Sequence, residues 1–101
     1  MENKEQIERI QHYEALLDRV EQAHGVLARA LEAFEKTEPL CAELDEYLAG
    51  ADWKRDYEDD EAGRLPAELK RGVLSEDGIF YALEEHRQLL SEMLELVARA
   101  L

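Results

Sequence analysis

Ten carboxylates fall between Glu38 and Glu61, and only Lys54 and Arg55 oppose them, so this stretch alone carries a net charge of −8. Carboxylates at this density could ligate a metal, move protons or dock a cationic surface. Asp56, Asp59, Asp60 and Glu61 lack the alternating aspartates and the closing glutamate of a calcium loop. On a helix Asp56 and Asp60 share a face, but two carboxylates make a poor metal site. A di-iron bundle needs Glu-x-x-His on facing helices. Glu21-Gln22-Ala23-His24 has that spacing, whereas Leu83-Glu84-Glu85-His86 puts leucine where the second glutamate belongs. No metal or other cofactor is expected.

Nucleophilic chemistry fares no better. Cys41 stands among acids that disfavour its thiolate, and Ser75 has no histidine or lysine at a recognisable spacing. Gly63, Gly72 and Gly78 are isolated rather than gathered into a phosphate-binding loop. With no catalytic residue to assign, an enzyme is not expected. The acidic stretch then reads either as a solvated face that keeps the protein soluble or as a docking surface. Candidate partner-binding residues are Trp53, Asp56, Tyr57, Asp59, Asp60, Glu61, Lys70 and Arg71. Trp53 and Tyr57 either seal the end of a helical core or act as interface anchors, and sealing is favoured. Lys70-Arg71, the one basic pair outside the acidic run's own, reads as an internal ion pair to that run or as a contact with a partner's carboxylates.

These residues sit on helices. Ile10, Tyr13, Leu17, Val20, His24, Leu27, Leu31 and Phe34 step alternately by three and four, a heptad seam that predicts a helix over residues 4–36. Ile79, Leu83, His86, Leu90, Met93, Val97 and Ala100 repeat the pattern and predict a second long helix over 76–100. Ser75 serves as its N-cap, with Glu76 and Asp77 placing negative charge in the first turn. Between the two, Thr37 can cap a restart at Pro39, giving a helix over 38–49 that Gly50 closes. A short helix over 52–61, stopped at Gly63, leads into a connector over 62–75. The two histidines on the seams read as tucked polar groups or as a pH-responsive contact between His24 and His86.

The fold expected is all-α: two long helices and one or two shorter ones in a single small bundle. The first helix is longer than its neighbours can cover, which leans towards completion by a homodimer. The length of 101 residues suits one domain. No apolar run approaches the length of a membrane span, and the polar start Met1-Glu2-Asn3-Lys4 reads as no signal peptide. A lone cysteine fits a reducing cytoplasm. A formal net charge of −13 argues against direct nucleic-acid binding, since phosphates are met by Lys and Arg.

From Tyr47 to Leu90 the chain resembles a bacterial family catalogued as domain of unknown function 4298. The resemblance is carried by Tyr47-Leu48, Trp53, Asp56-Tyr57-Glu58, Asp60-Glu61-Ala62-Gly63 and Leu65-Pro66. Its most specific part is Leu69-Lys70-Arg71-Gly72-Val73-Leu74-Ser75-Glu76-Asp77. It implies a small, cytosolic helical protein and no activity. The chain departs from the expected pattern at Gly78, where alanine or a similar helix former would continue Ser-Glu-Asp, and a glycine there would loosen the start of the helix. The function expected is a non-enzymatic interaction module that docks on a basic protein partner through its acidic centre. The alternative is a nucleic-acid mimic that inhibits a DNA- or RNA-binding protein, as a phage counter-defence or nuclease-immunity protein would.

Overall fold

The computed structural model describes residues 2–75 and 77–101. Among them four α-helices follow one another: α1 (Glu2–Glu35), α2 (Glu38–Ala49), α3 (Ala51–Glu61) and α4 (Gly78–Ala100), with a 3-10 turn at Gly72–Leu74. No strand occurs among the described residues, and the fold is all-α. Contacts divide the chain into two compact units, Met1–Glu38 and Pro39–Leu101.

The first unit is essentially α1. Its 34 residues are long enough to run about 50 Å at 1.5 Å per residue. Two residues past its end, Thr37 donates both its backbone N–H (2.9 Å) and its hydroxyl (2.6 Å) to the carbonyl of Phe34. Thr37, expected to cap the helix that follows, is thereby bound to the end of α1. The hydroxyl turns back because the last carbonyls of a helix have no partners within it, and Thr37 can reach one of them.

In the second unit α2 and α3 are separated by a single residue, Gly50, whose backbone is extended and whose N–H bonds the carbonyl of Tyr47 at 3.0 Å. α3 stops in a Schellman arrangement. Gly63 adopts φ +72°, its N–H bonds Asp60, and the N–H of Arg64 reaches back to the carbonyl of Asp59 at 2.9 Å. Only a left-handed residue closes the helix this way, which is why glycine stands there.

The 3-10 turn is the hub of this unit, because it packs on both α3 and α4. Leu74, 6% exposed, and Ile79, 4% exposed, are its buried apolar residues. Half-buried Leu44, Tyr47 and Leu48 of α2, Trp53 and Tyr57 of α3, Leu65, and Leu83 of α4 add a looser apolar layer. The indole N–H of Trp53 donates to the carbonyl of Val73 at 2.8 Å, and its ring stacks on Tyr57 with centroids 5.1 Å apart. Both aromatics therefore serve the internal packing of this unit.

The start of α4 follows the expected cap in substance and departs from it in register. Ser75, in extended geometry, accepts the N–H of Gly78 on its hydroxyl at 3.1 Å and donates that hydroxyl to the carbonyl of Gly72 at 2.9 Å. The helix begins at Gly78, not at 76, and Asp77 precedes its first turn. The charge expected from Glu76 lies outside the described residues. Gly78 does not loosen this start. A Cβ there would lie 2.4 Å from the Gly72 carbonyl oxygen and 2.6 Å from the Ser75 hydroxyl, so a residue without one is what lets the helix begin against the turn.

Candidate functional site

The acids of α2 and α3 divide by what they touch. Asp56 accepts the phenolic O–H of Tyr47 at 2.7 Å, tying α3 to α2. Asp59 pairs with Arg64 at 2.9 Å beside the Schellman turn. Asp60 pairs with Arg71, whose guanidinium also donates through Nε to the carbonyl of Leu69 at 3.2 Å and through Nη2 to the carbonyl of Pro66. One planar fork thus fastens the connector to α3, with the Asp60 side chain 17% and the Arg71 side chain 33% exposed. Of the four acids that sequence reasoning grouped as a docking surface, Asp56, Asp59 and Asp60 are engaged by side chains of this unit, and Glu61 is exposed.

A different set of acids faces solvent. Glu43 and Glu46 of α2 and Asp52 of α3 are exposed and converge on an open cleft of about 480 Å³ at the α2–α3 junction, completed by Tyr47, Gly50 and Ala51. Burial, then the hydrogen bond and charge of Asp56, then the charge of Asp52, push the Tyr47 phenol from 10.0 up to about 12, so it stays a neutral donor beneath these acids. Sequence reasoning missed this convergence, because Glu43, Glu46 and Asp52 come together only through the sharp turn at Gly50. That glycine between two helical patterns was the available signal.

Lys70 and Arg71 part company. Arg71 forms the internal ion pair, whereas Lys70 is exposed and lines two shallow apolar cavities flanking the 3-10 turn. The larger, of about 580 Å³, is walled by Leu44, Val73, Ile79 and Ala82, and the smaller, of about 340 Å³, by Leu65, Leu69 and Leu74. Among the described residues no three His, Cys, Asp or Glu side chains gather as metal ligands would. Cys41 is half-buried on α2. His24 is exposed on α1, and His86 is half-buried on α4. No helix among the described residues is long and apolar enough to cross a membrane.

The family model described as a domain of unknown function (DUF4298) matches residues 10–96, and the chain belongs to that family. No curated protein and no solved structure matches it. The stretch most specific to the resemblance, Leu69–Asp77, is also the stretch that clasps α3 to α4 through Arg71, Val73, Leu74 and Ser75. What sets this sequence apart is therefore in large part a device for holding its helices.

Proposed function

We propose that this member of the family is a non-enzymatic helical interaction module that docks on the basic surface of a protein partner through the acidic junction of α2 and α3. The observation that carries the reading is the convergence of exposed Glu43, Glu46 and Asp52 on one open cleft. Three carboxylates carried on adjoining helices present a fixed negative field. Such a field speeds encounter with a cationic partner and makes the complex weaken with salt. Support for a non-enzymatic role comes from the side chains that could have reacted. The Ser75 hydroxyl is spent between two backbone groups, and the Tyr47 phenol is held protonated against Asp56.

The test uses the full chain as bait. Wild type and the triple variant Glu43→Gln, Glu46→Gln, Asp52→Asn are compared for the proteins each captures from extracts of the source cells, at low and high salt. The expected result is a partner with a basic surface, retained at low salt by wild type and lost by the variant. Among the described residues no hydrogen bond or ion pair engages the side chains of these three acids, so the variant's helicity should be unchanged. A partner held equally by both proteins would exclude the cleft. Adding oligonucleotide separates the two kinds of partner. If nucleic acid competes for the captured protein, the cleft imitates a phosphate backbone; if it does not, the basic surface is a protein-recognition site.

A further inference from the structure

We propose that α1 pairs with α1 of a second copy of this chain as a parallel, in-register coiled coil. Along α1 the seam residues Ile10, Tyr13, Leu17, Val20, Leu27 and Leu31 are 44–61% exposed, and no described residue of the helix is buried. A helix of 34 residues holds its shape in water chiefly by packing an apolar face, so the seam from Ile10 to Leu31 calls for a cover.

Two features of the sequence around the seam select a parallel second copy. In heptad register Ile10, Leu17, His24 and Leu31 are a positions, and Tyr13, Val20, Leu27 and Phe34 are d positions. The flanking g column along the seam is then Arg9, Leu16, Ala23 and Ala30, and the e column is Ile7, Glu14, Glu21, Ala28 and Glu35, with Arg9 and Glu14 the oppositely charged pair. In a parallel in-register pair Arg9 faces Glu14 of the second copy, and symmetry makes this ion pair twice. An antiparallel pair centred on the seam would instead set the e columns side by side, bringing Glu21 against Glu21. The second feature is His24, the polar residue among the seam's a positions Ile10, Leu17, His24 and Leu31. A parallel register places it opposite the same residue of the second copy, polar group against polar group. An antiparallel register would face it with an apolar d residue. A single polar a position that fixes register at a cost in stability is a known device of such seams.

Sedimentation equilibrium of the full chain over a range of concentrations tests the pairing. Wild type should sediment at twice the chain mass, and Leu27→Glu should sediment as a monomer. Arg9→Glu or Glu14→Arg alone should weaken the dimer roughly tenfold by turning two attractions into repulsions. The double exchange, Arg9→Glu with Glu14→Arg, should restore it, an outcome that loss of folding could not produce. Orientation is read in a Cys41→Ser background carrying Tyr13→Cys, where a parallel pair brings the two thiols together and oxidation links the chains. A wild-type chain that stays monomeric throughout, a dimer indifferent to Leu27→Glu, a double exchange that rescues nothing, or a Tyr13→Cys pair that does not cross-link would each overturn the proposal.

Discussion

Replacing Gly78 with alanine sets two effects of opposite sign against each other, and the structure decides between them. An alanine in a helix is favoured over glycine by at most about 1 kcal/mol. Against that, the new Cβ would stand 2.4 Å from the Gly72 carbonyl oxygen and 2.6 Å from the Ser75 hydroxyl. The hydroxyl can rotate away, but it then gives up the Gly78 N–H and the Gly72 carbonyl, a cap whose loss costs about 1 kcal/mol. The carbonyl cannot rotate away. It belongs to the 3-10 turn that Trp53 grips at Val73 and that buries Leu74, so its retreat disturbs packing, at a cost of about 1–3 kcal/mol. The net expectation is a loss of about 2 kcal/mol. At about 4–8 °C per kcal/mol for a domain of this size, thermal unfolding followed by circular dichroism resolves it easily.

Two further glycines make the experiment decisive. Nothing lies within 4 Å of a Cβ placed on Gly72, six residues earlier, or on Gly25 in the middle of α1, and neither has a positive φ. Gly72→Ala should stabilise by about 0.4–1 kcal/mol through the unfolded chain, and Gly25→Ala by about 1 kcal/mol through helix propensity. The same chemical change is thus expected to raise the melting temperature at two sites and lower it at the third. A Gly78→Ala protein as stable as wild type, or more so, would refute the argument that the helix start is built around a missing Cβ.

Arg71→Lys should destabilise the chain by about 1–2 kcal/mol in urea, because one ammonium cannot serve Asp60 and the carbonyls of Pro66 and Leu69 at once; Arg64→Lys, at the exposed pair with Asp59, should stay within about 0.5 kcal/mol of wild type. The Tyr47 phenol, held at about 12 when folded against 10.0 when free, binds its proton more tightly in the folded state, so its contribution to stability is complete below pH 10 and is lost as pH rises through 12. Subtracting the alkaline absorbance titration of Tyr47→Phe from that of wild type should reveal this late step, and Asp56→Asn should shift it down without returning it to 10.0, since burial and the charge of Asp52 also raise it.

Much of the architecture was legible in the sequence because it is local. Steps of three and four residues gave both long helices, the glycine at position 50 and the proline at 39 bracketed α2 at Glu38–Ala49, and a serine ahead of the last helix announced a hydroxyl cap. What stayed illegible depends on partners brought from elsewhere. The Thr37 hydroxyl had two helix ends within reach, and spacing alone did not say that it would take the Phe34 carbonyl. At Gly78 propensity argued for alanine, and only the approach of Gly72 explains the glycine. Arg71 was legible as an internal ion pair but not as a fork with backbone acceptors at Leu69 and Pro66.

The acidic stretch shows how far composition can mislead about where a surface lies. Its charge of −8 suggests one continuous docking face, and its densest run, Asp59-Asp60-Glu61, invites placing that face at the end of α3. Yet a carboxylate near a guanidinium or a phenol in the same chain is worth more as a bond than as a field, and Asp56, Asp59 and Asp60 each meet one. Once they are subtracted, the negative field falls to other acids of the stretch, exposed Glu43, Glu46 and Asp52 among them. Those at Glu43, Glu46 and Asp52 stand apart because the turn at Gly50 gathers them around one cleft. Neutralising the densest run should therefore cost stability before it costs binding, while neutralising the cleft should do the reverse. The order in which those two losses appear separates an acidic fold from an acidic interface.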